Sequence, residues 1–169
     1  MREAIGGTWL LGLVLTFIVF FASFLAVSIN FSKAFNVKNN IVDLIGKYEG
    51  NNCNARKKIG SYLQEAGYLV PGKCPDDEVY NGKHIEYIGF DRNGNNTAST
   101  KAYYCISKET VDQSDSVILE KKFYRVIVFF KIDLPLVGNV TTFRIRGETE
   151  SIPFAKDPET TSSERYTCS

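Results

Sequence analysis

The chain has 169 residues, with 20 Lys plus Arg against 19 Asp plus Glu and a net charge of +1. That balance excludes a global basic field for nucleic acid and an acidic one for a cationic partner. Without its first 30 residues the chain is still long enough for one compact domain with its own core.

The N-terminal stretch GGTWLLGLVLTFIVFFASFLAVSIN, Gly6 to Asn30, contains no charge, and Lys33 is the first charge after Glu3. As a helix, the 22 residues from Thr8 to Ile29 would cover roughly 33 Å, against a hydrocarbon core of about 30 Å. A secretory h-region is shorter, about 7–15 residues, follows several positive charges and ends in a small-residue cleavage motif. Here Arg2 alone precedes the run, Glu3 offsets it, and no A-x-A site follows. The length favours a retained transmembrane helix over 8–29, after a short cytoplasmic segment 1–7. The flanking charges, Arg2 against Lys33 and Lys38, point to the opposite orientation. The cysteines favour an extracytoplasmic C-terminal domain.

Beyond the run, Phe31, Ala34, Phe35, Ile41, Val42, Ile45 and Tyr48 recur at three- and four-residue steps, one face of a helix. No Gly or Pro falls between Asn30 and Gly46, and Gly50 is a natural stop. One helix is therefore expected from about Thr8 to about Glu49, its extension 30–49 belonging to an extracytoplasmic domain 30–154.

In NARKKIGSYLQEAGYLVPG a second, short helix is expected, with Asn54 as N-cap, Ile59, Tyr62 and Leu63 on its apolar face, and Gly67 or Pro71 at its end. Four strands follow. HIEYIGF leads into the turn DRNGNN, where Asn93-Gly94 signals a hairpin. STKAYYCISKE returns; EKKFYRVIVFFKIDLP has an apolar centre suited to burial on both faces; TTFRIRGETESIP alternates Phe143 and Ile145 with Arg144 and Arg146. The expected fold is α+β: a long N-terminal helix whose outer half packs on a four-stranded antiparallel sheet, plus one short helix. A polar tail, 155–169, closes the chain.

Cys53, Cys74, Cys105 and Cys168 form no C-x-x-C pair, and His84 is the lone histidine, so disulfides are favoured over zinc. Four cysteines allow three connectivities; Cys53–Cys74, bracketing the second helix, is preferred, with unpaired thiols as the alternative. Asp91, Asn93 and Asn95 alternate as in a calcium loop, but Asn96 and Ala102 occupy the positions that need Gly and Glu, which favours a plain turn. Asp76, Asp77 and Glu78 read as a solvated loop, and His84 as a partly buried strand residue. Asn30, Asn95 and Asn139 lie in N-x-S/T triplets, which matter only in a eukaryotic secretory setting. No nucleophile motif or phosphate loop is present. No catalytic, cofactor or metal residue is assigned, and an enzyme is disfavoured.

Gly6-Gly7, the hydrophobic helix continuing out of the membrane, and a helix-plus-antiparallel-sheet domain together resemble type IV pilins and pseudopilins. The segment FYRVIVFFKIDLPLVGNVTTFRIRGETESIP further resembles the end of the TadE-like minor pilins of tight-adherence systems. That resemblance implies cleavage by a prepilin peptidase after Gly6 or Gly7, with membrane lipid, other pilin-like subunits and an assembly platform as partners. The usual pilin carries Glu at the fifth mature position; here it is Gly12 or Leu11, which suits a minor, initiating or tip subunit, or one that stays in the membrane. Gly12, Ala22, Ser23 and Ala26 are small enough to let neighbouring helices approach, or are ordinary membrane-helix composition. The competing expectation is a single-pass anchored binding domain that does not polymerise.

Overall fold

In the computed structural model, residues 2–68, 70–76, 78–80, 82–111, 119–134 and 138–155 are described. The first helix, α1, runs unbroken from Arg2 to Lys47. It therefore includes residues 2–7, expected as a separate segment, and ends slightly before Glu49. At its end the Gly50 N–H donates to the Ile45 carbonyl at 2.9 Å. A second helix, α2, spans Cys53–Glu65. Its N-cap is Asn52, not Asn54, for a clear reason. The Asn52 carboxamide oxygen accepts from Ala55 N–H at 2.9 Å while its NH2 donates to the Tyr48 carbonyl at 2.8 Å. One side chain thus closes α1 and opens α2. Gly67, at φ 57°, follows the α2 terminus as expected.

Among the described residues eight strands follow, the four expected ones with short additions: β1 (Glu78–Tyr80), β2 (Lys83–Ile85), β3 (Ile88–Phe90), β4 (Asn96–Thr97), β5 (Tyr104–Val111), β6 (Leu119–Leu134), β7 (Gly138–Glu148) and β8 (Ile152–Ala155). HIEYIGF splits into β2 and β3, and β2 pairs with β1 in a separate hairpin. The main sheet is antiparallel in the order β4-β3-β5-β6-β7, with β8 beside the start of β6. Asn93-Gly94 does turn the chain: Gly94 adopts φ 80° and β3 returns as β4.

The central strand explains the two-faced burial. On one side Tyr124, Val126, Val128 and Phe130 pack with Ala34, Val37, Ile41 and Ile45 of α1 and Ile59 and Leu63 of α2. Each fully buried Ile contributes about 1.5–3 kcal/mol relative to exposure. On the other side Ile127 and Phe129 are covered by Cys74, Ile85, Tyr87, Ala102 and Cys105. The segment that follows α2 therefore crosses to the far side of the sheet and forms a second, smaller core. Gly60 lets α2 meet the β3–β4 turn, because a Cβ there would lie 2.7 Å from the Arg92 carbonyl oxygen.

The disulfide preference is corrected here: Cys74 pairs with Cys105, their Cα atoms 5.9 Å apart. Cys53 is also disulfide-bonded, and Cys168 lies outside the described residues. Cys74, in the segment after α2, packs on the far face of the sheet beside Cys105 of β5. His84 is exposed on β2 rather than partly buried. Residues 135–137 and 156–169, the latter expected as most of a polar tail, also lie outside the described residues.

Candidate functional site

Helix α1 has two chemically different halves. Ala34, Val37, Ile41 and Ile45 are buried by the sheet and α2. The N-terminal half is long and apolar enough to cross a membrane, and the most apolar window of that helix is 0% buried by the protein. Trp9, Leu10, Phe17, Phe20, Phe24 and Ile29 are all exposed. Two of its hydroxyls bond within the helix: Thr16 donates to the Gly12 carbonyl at 2.9 Å and Ser23 to the Val19 carbonyl at 2.8 Å. Polar groups bonded in this way within a helix cost little in hydrocarbon.

Gly6 and Gly7 lie on α1, with open space around Gly7. Gly12, Ser23 and Ala26 fall within about 60° of one another on the helix surface, whereas Ala22 is about 80° round from Gly12. Gly12 forms the floor of an open groove of about 670 Å³ with Thr8, Thr16, Phe17 and Phe20 on its walls. That groove is apolar and carries no reactive constellation.

Where the uncharged run ends, α1 meets the sheet through aromatic rings. Phe31 touches Phe130 edge to face at 5.7 Å and stacks with Phe35, while Phe130 stacks on Phe143 at 5.2 Å. Phe31, Phe35 and Phe143 keep large exposed areas. The Lys38 ammonium lies 4.2 Å over the Phe35 ring.

A charged group on the far face of the sheet went unrecognised in the sequence. Arg125, its side chain only 8% exposed, donates from Nε to Glu148 Oε1 at 2.7 Å, with Glu109 Oε1 3.8 Å from its Nη1. Arg146 pairs with Glu78. Glu78 therefore lies beside the sheet and not in a solvated loop, and with Tyr87, Arg125, Arg146 and Glu148 it lines a cavity of about 80 Å³. Asp76, by contrast, is exposed and pairs with Lys73. The signal in the sequence is Arg125 inside the run FYRVIVFF, since a charge in a buried strand needs a partner.

Burial, and then the Glu78 carboxylate, push the Tyr87 phenol up to about 12. Burial alone would lower Arg125; the hydrogen bond and charge of Glu148, with the charge of Glu109, outweigh it and raise the guanidinium pKa. Arg125 faces the carboxylates of Glu109 and Glu148, Arg146 pairs with Glu78, and the phenol is held neutral. The arrangement fastens the β1–β2 hairpin onto the sheet. Asp91 is likewise engaged, its Oδ1 accepting from the Asn93 and Asn95 N–H groups at 2.8 Å. Among the described residues, no group of three or more His, Cys, Asp or Glu could hold a metal ion.

No family model matches the chain, and no curated protein or solved structure matches it.

Proposed function

We propose that the chain is a non-enzymatic, single-pass membrane subunit of a pilin-like or pseudopilin-like assembly, with its head on the extracytoplasmic side. The observation that carries this reading is the continuity of α1 from Arg2 to Lys47. Its outer half is the spine of the head, and its inner half is left without protein cover. A rod of this kind can exchange lipid for neighbouring helices without unfolding, because its backbone groups beyond the terminal turns are already paired within the helix. Gly12, Ser23 and Ala26, on one side of the rod, allow such helices to approach closely.

The test is the native N-terminus together with fractionation. Mature protein that begins at Gly7 or Thr8 and travels with sheared filaments supports the reading; an intact N-terminus with strict retention in membranes contradicts it. The second reading is an anchored binding domain that does not polymerise. It is favoured by Gly12 or Leu11 standing where the usual pilin has Glu, since neither can offset a neighbour's terminal amine.

A further inference from the structure

We propose that the outer edge of β7 is a docking site for an extended acidic segment of a partner protein, which adds to the sheet as a further strand. The inference concerns the head alone and stands whether or not the chain polymerises.

One hydrogen bond and the register decide which backbone groups face outward. The Thr149 N–H donates to the Tyr124 carbonyl at 2.9 Å, so those two residues form a hydrogen-bonded pair across the ladder. From Arg125↔Glu148 the partners run without a shift to Lys131↔Thr142. Hydrogen-bonded pairs alternate along such a ladder. Gly147, Ile145 and Phe143 therefore direct their N–H and C=O groups to β6, whereas Thr142, Arg144, Arg146 and Glu148 direct theirs away from the sheet. The outward groups extend over about 20 Å.

Among the described residues no strand takes them up, since β7 ends the order β4-β3-β5-β6-β7. β8 does not fold back over this edge. It pairs with residues 119–122 of β6, and because β5 holds the other side of Lys121 and Lys122, β8 continues the lane of β7.

Charge and polarity select the occupant. Arg144 and Arg146 lie opposite Phe129 and Ile127, so their side chains belong to the far face of the sheet, and both are exposed. Arg146 pairs with Glu78 while its side chain stays 60% exposed. No carboxylate among the described residues pairs with Arg144. Ile145, between the two arginines, faces α1, where it and Val42 are only partly buried. Lys38 of α1 packs on Gly147 at the same edge and adds a further cation.

A strand added here would set one side chain against each arginine and the side chain between them beside Ile145. The sequence that fits is acidic–apolar–acidic. Pairing with a second copy of β7 centred on Ile145 would oppose Arg144 and Arg146 to each other, which like charge disfavours. Edge charges of this kind discourage self-association, and the same charges favour an acidic strand. Main-chain bonds supply affinity in such additions, and alternate side chains supply selectivity.

The experiment uses the full chain in detergent micelles and the capped peptide TVEVEVT as probe, with TVKVKVT as its charge-reversed counterpart. Amide exchange followed by NMR separates the two sets of β7 amides. Without peptide, Phe143, Ile145 and Gly147 are expected to exchange slowly, and Thr142, Arg144, Arg146 and Glu148 fast. TVEVEVT should slow the second set, bind at least about tenfold more tightly than TVKVKVT, and weaken as salt is raised. Arg144→Glu, at an exposed position, should reverse the preference between the peptides. Equal binding of the two peptides, binding that leaves the outward amides fast, or a preference unchanged in Arg144→Glu overturns the proposal. Slow exchange of the outward amides before peptide is added also overturns it. Such protection assigns the edge to the chain itself where it is independent of protein concentration, and to a second copy where it grows with concentration.

Discussion

Phe31, the residue that follows the uncharged run, meets Phe130 of β6 edge to face, with ring centroids 5.7 Å apart and ring planes at 82°. This contact fixes the sheet to the helix at the place where a tethered domain would have its linker. Helix and head are consequently one body, and forces on the apolar half of α1 reach the sheet without passing through a flexible joint.

If the outer half of α1 is the spine of the core, its buried face must bear on head stability. Ile41 has no exposed surface, so Ile41→Ala is expected to cost about 2–5 kcal/mol through lost burial and the cavity left behind. Ile18→Ala, on the uncovered half, removes no contact within the head and should leave its unfolding midpoint unchanged. Denaturant titration of both variants in detergent, followed by near-UV circular dichroism, makes the comparison. Equal midpoints would mean that the head does not use α1 as its core.

Two glycines separate close approach from open space. A Cβ at Gly72 would lie 2.2 Å from Phe129 Cδ1, with two more ring atoms within 2.6 Å. Gly72→Ala must displace the ring and is expected to destabilise by about 1–3 kcal/mol. Gly46 has nothing within 4 Å and lies in the last turn of α1, one residue before its end. Gly46→Ala should therefore stabilise through helix propensity, by less than the ~1 kcal/mol of a helix interior. Thermal unfolding of the two variants should shift in opposite directions.

The rod was legible in the sequence because both signals it needs are local: a long uncharged run, and then apolar residues at helical steps with no Gly or Pro before Gly46. The second core was not. Cys74 and Tyr87 have no periodic pattern that would announce them as a cover for Ile127 and Phe129. That contact is made by an irregular segment returning across the sheet, and non-local packing leaves no periodic mark. The preference for Cys53–Cys74 failed for the same reason, since proximity in sequence was used where β5 and the returning segment decide the partner. Arg125 was the missed clue to the charged group, hidden within an apolar run whose neighbours all looked like core.

The Cys74–Cys105 bridge encloses a sequence separation of 31 residues. Closing a loop of that length is expected to contribute about 3.5 kcal/mol on the chain-entropy account. The Cys74→Ser, Cys105→Ser double variant should lose that order of stability. Amide exchange should rise first at residues 70–87, while the amides of α1 from Ala34 to Ile45 stay protected. Simultaneous loss of protection in both regions would mean that the two faces of the sheet are one cooperative unit.

Alkali should weaken the head. The folded state holds the Tyr87 phenol neutral up to about 12, against an ordinary value of 10.0, and burial also raises Tyr68 and Tyr104. The folded state thus binds more protons than the unfolded one in this window. Their stabilising contribution is complete below pH 10 and is lost as pH rises through about 12. Absorbance titration at the phenolate band should find part of the 9 tyrosines ionising late, together with unfolding. Tyr87→Phe should flatten the pH dependence of stability in that window.

The most direct measurement of the central claim is a distance along α1 across the end of its uncharged run. Spin labels introduced through Phe21→Cys and Lys47→Cys stand on exposed positions, and no free cysteine is present among the described residues to compete. In lipid nanodiscs, a continuous helix requires one narrow distribution centred near about 39 Å. A broad distribution displaced to shorter distances would reveal a hinge near Asn30 and contradict the rod.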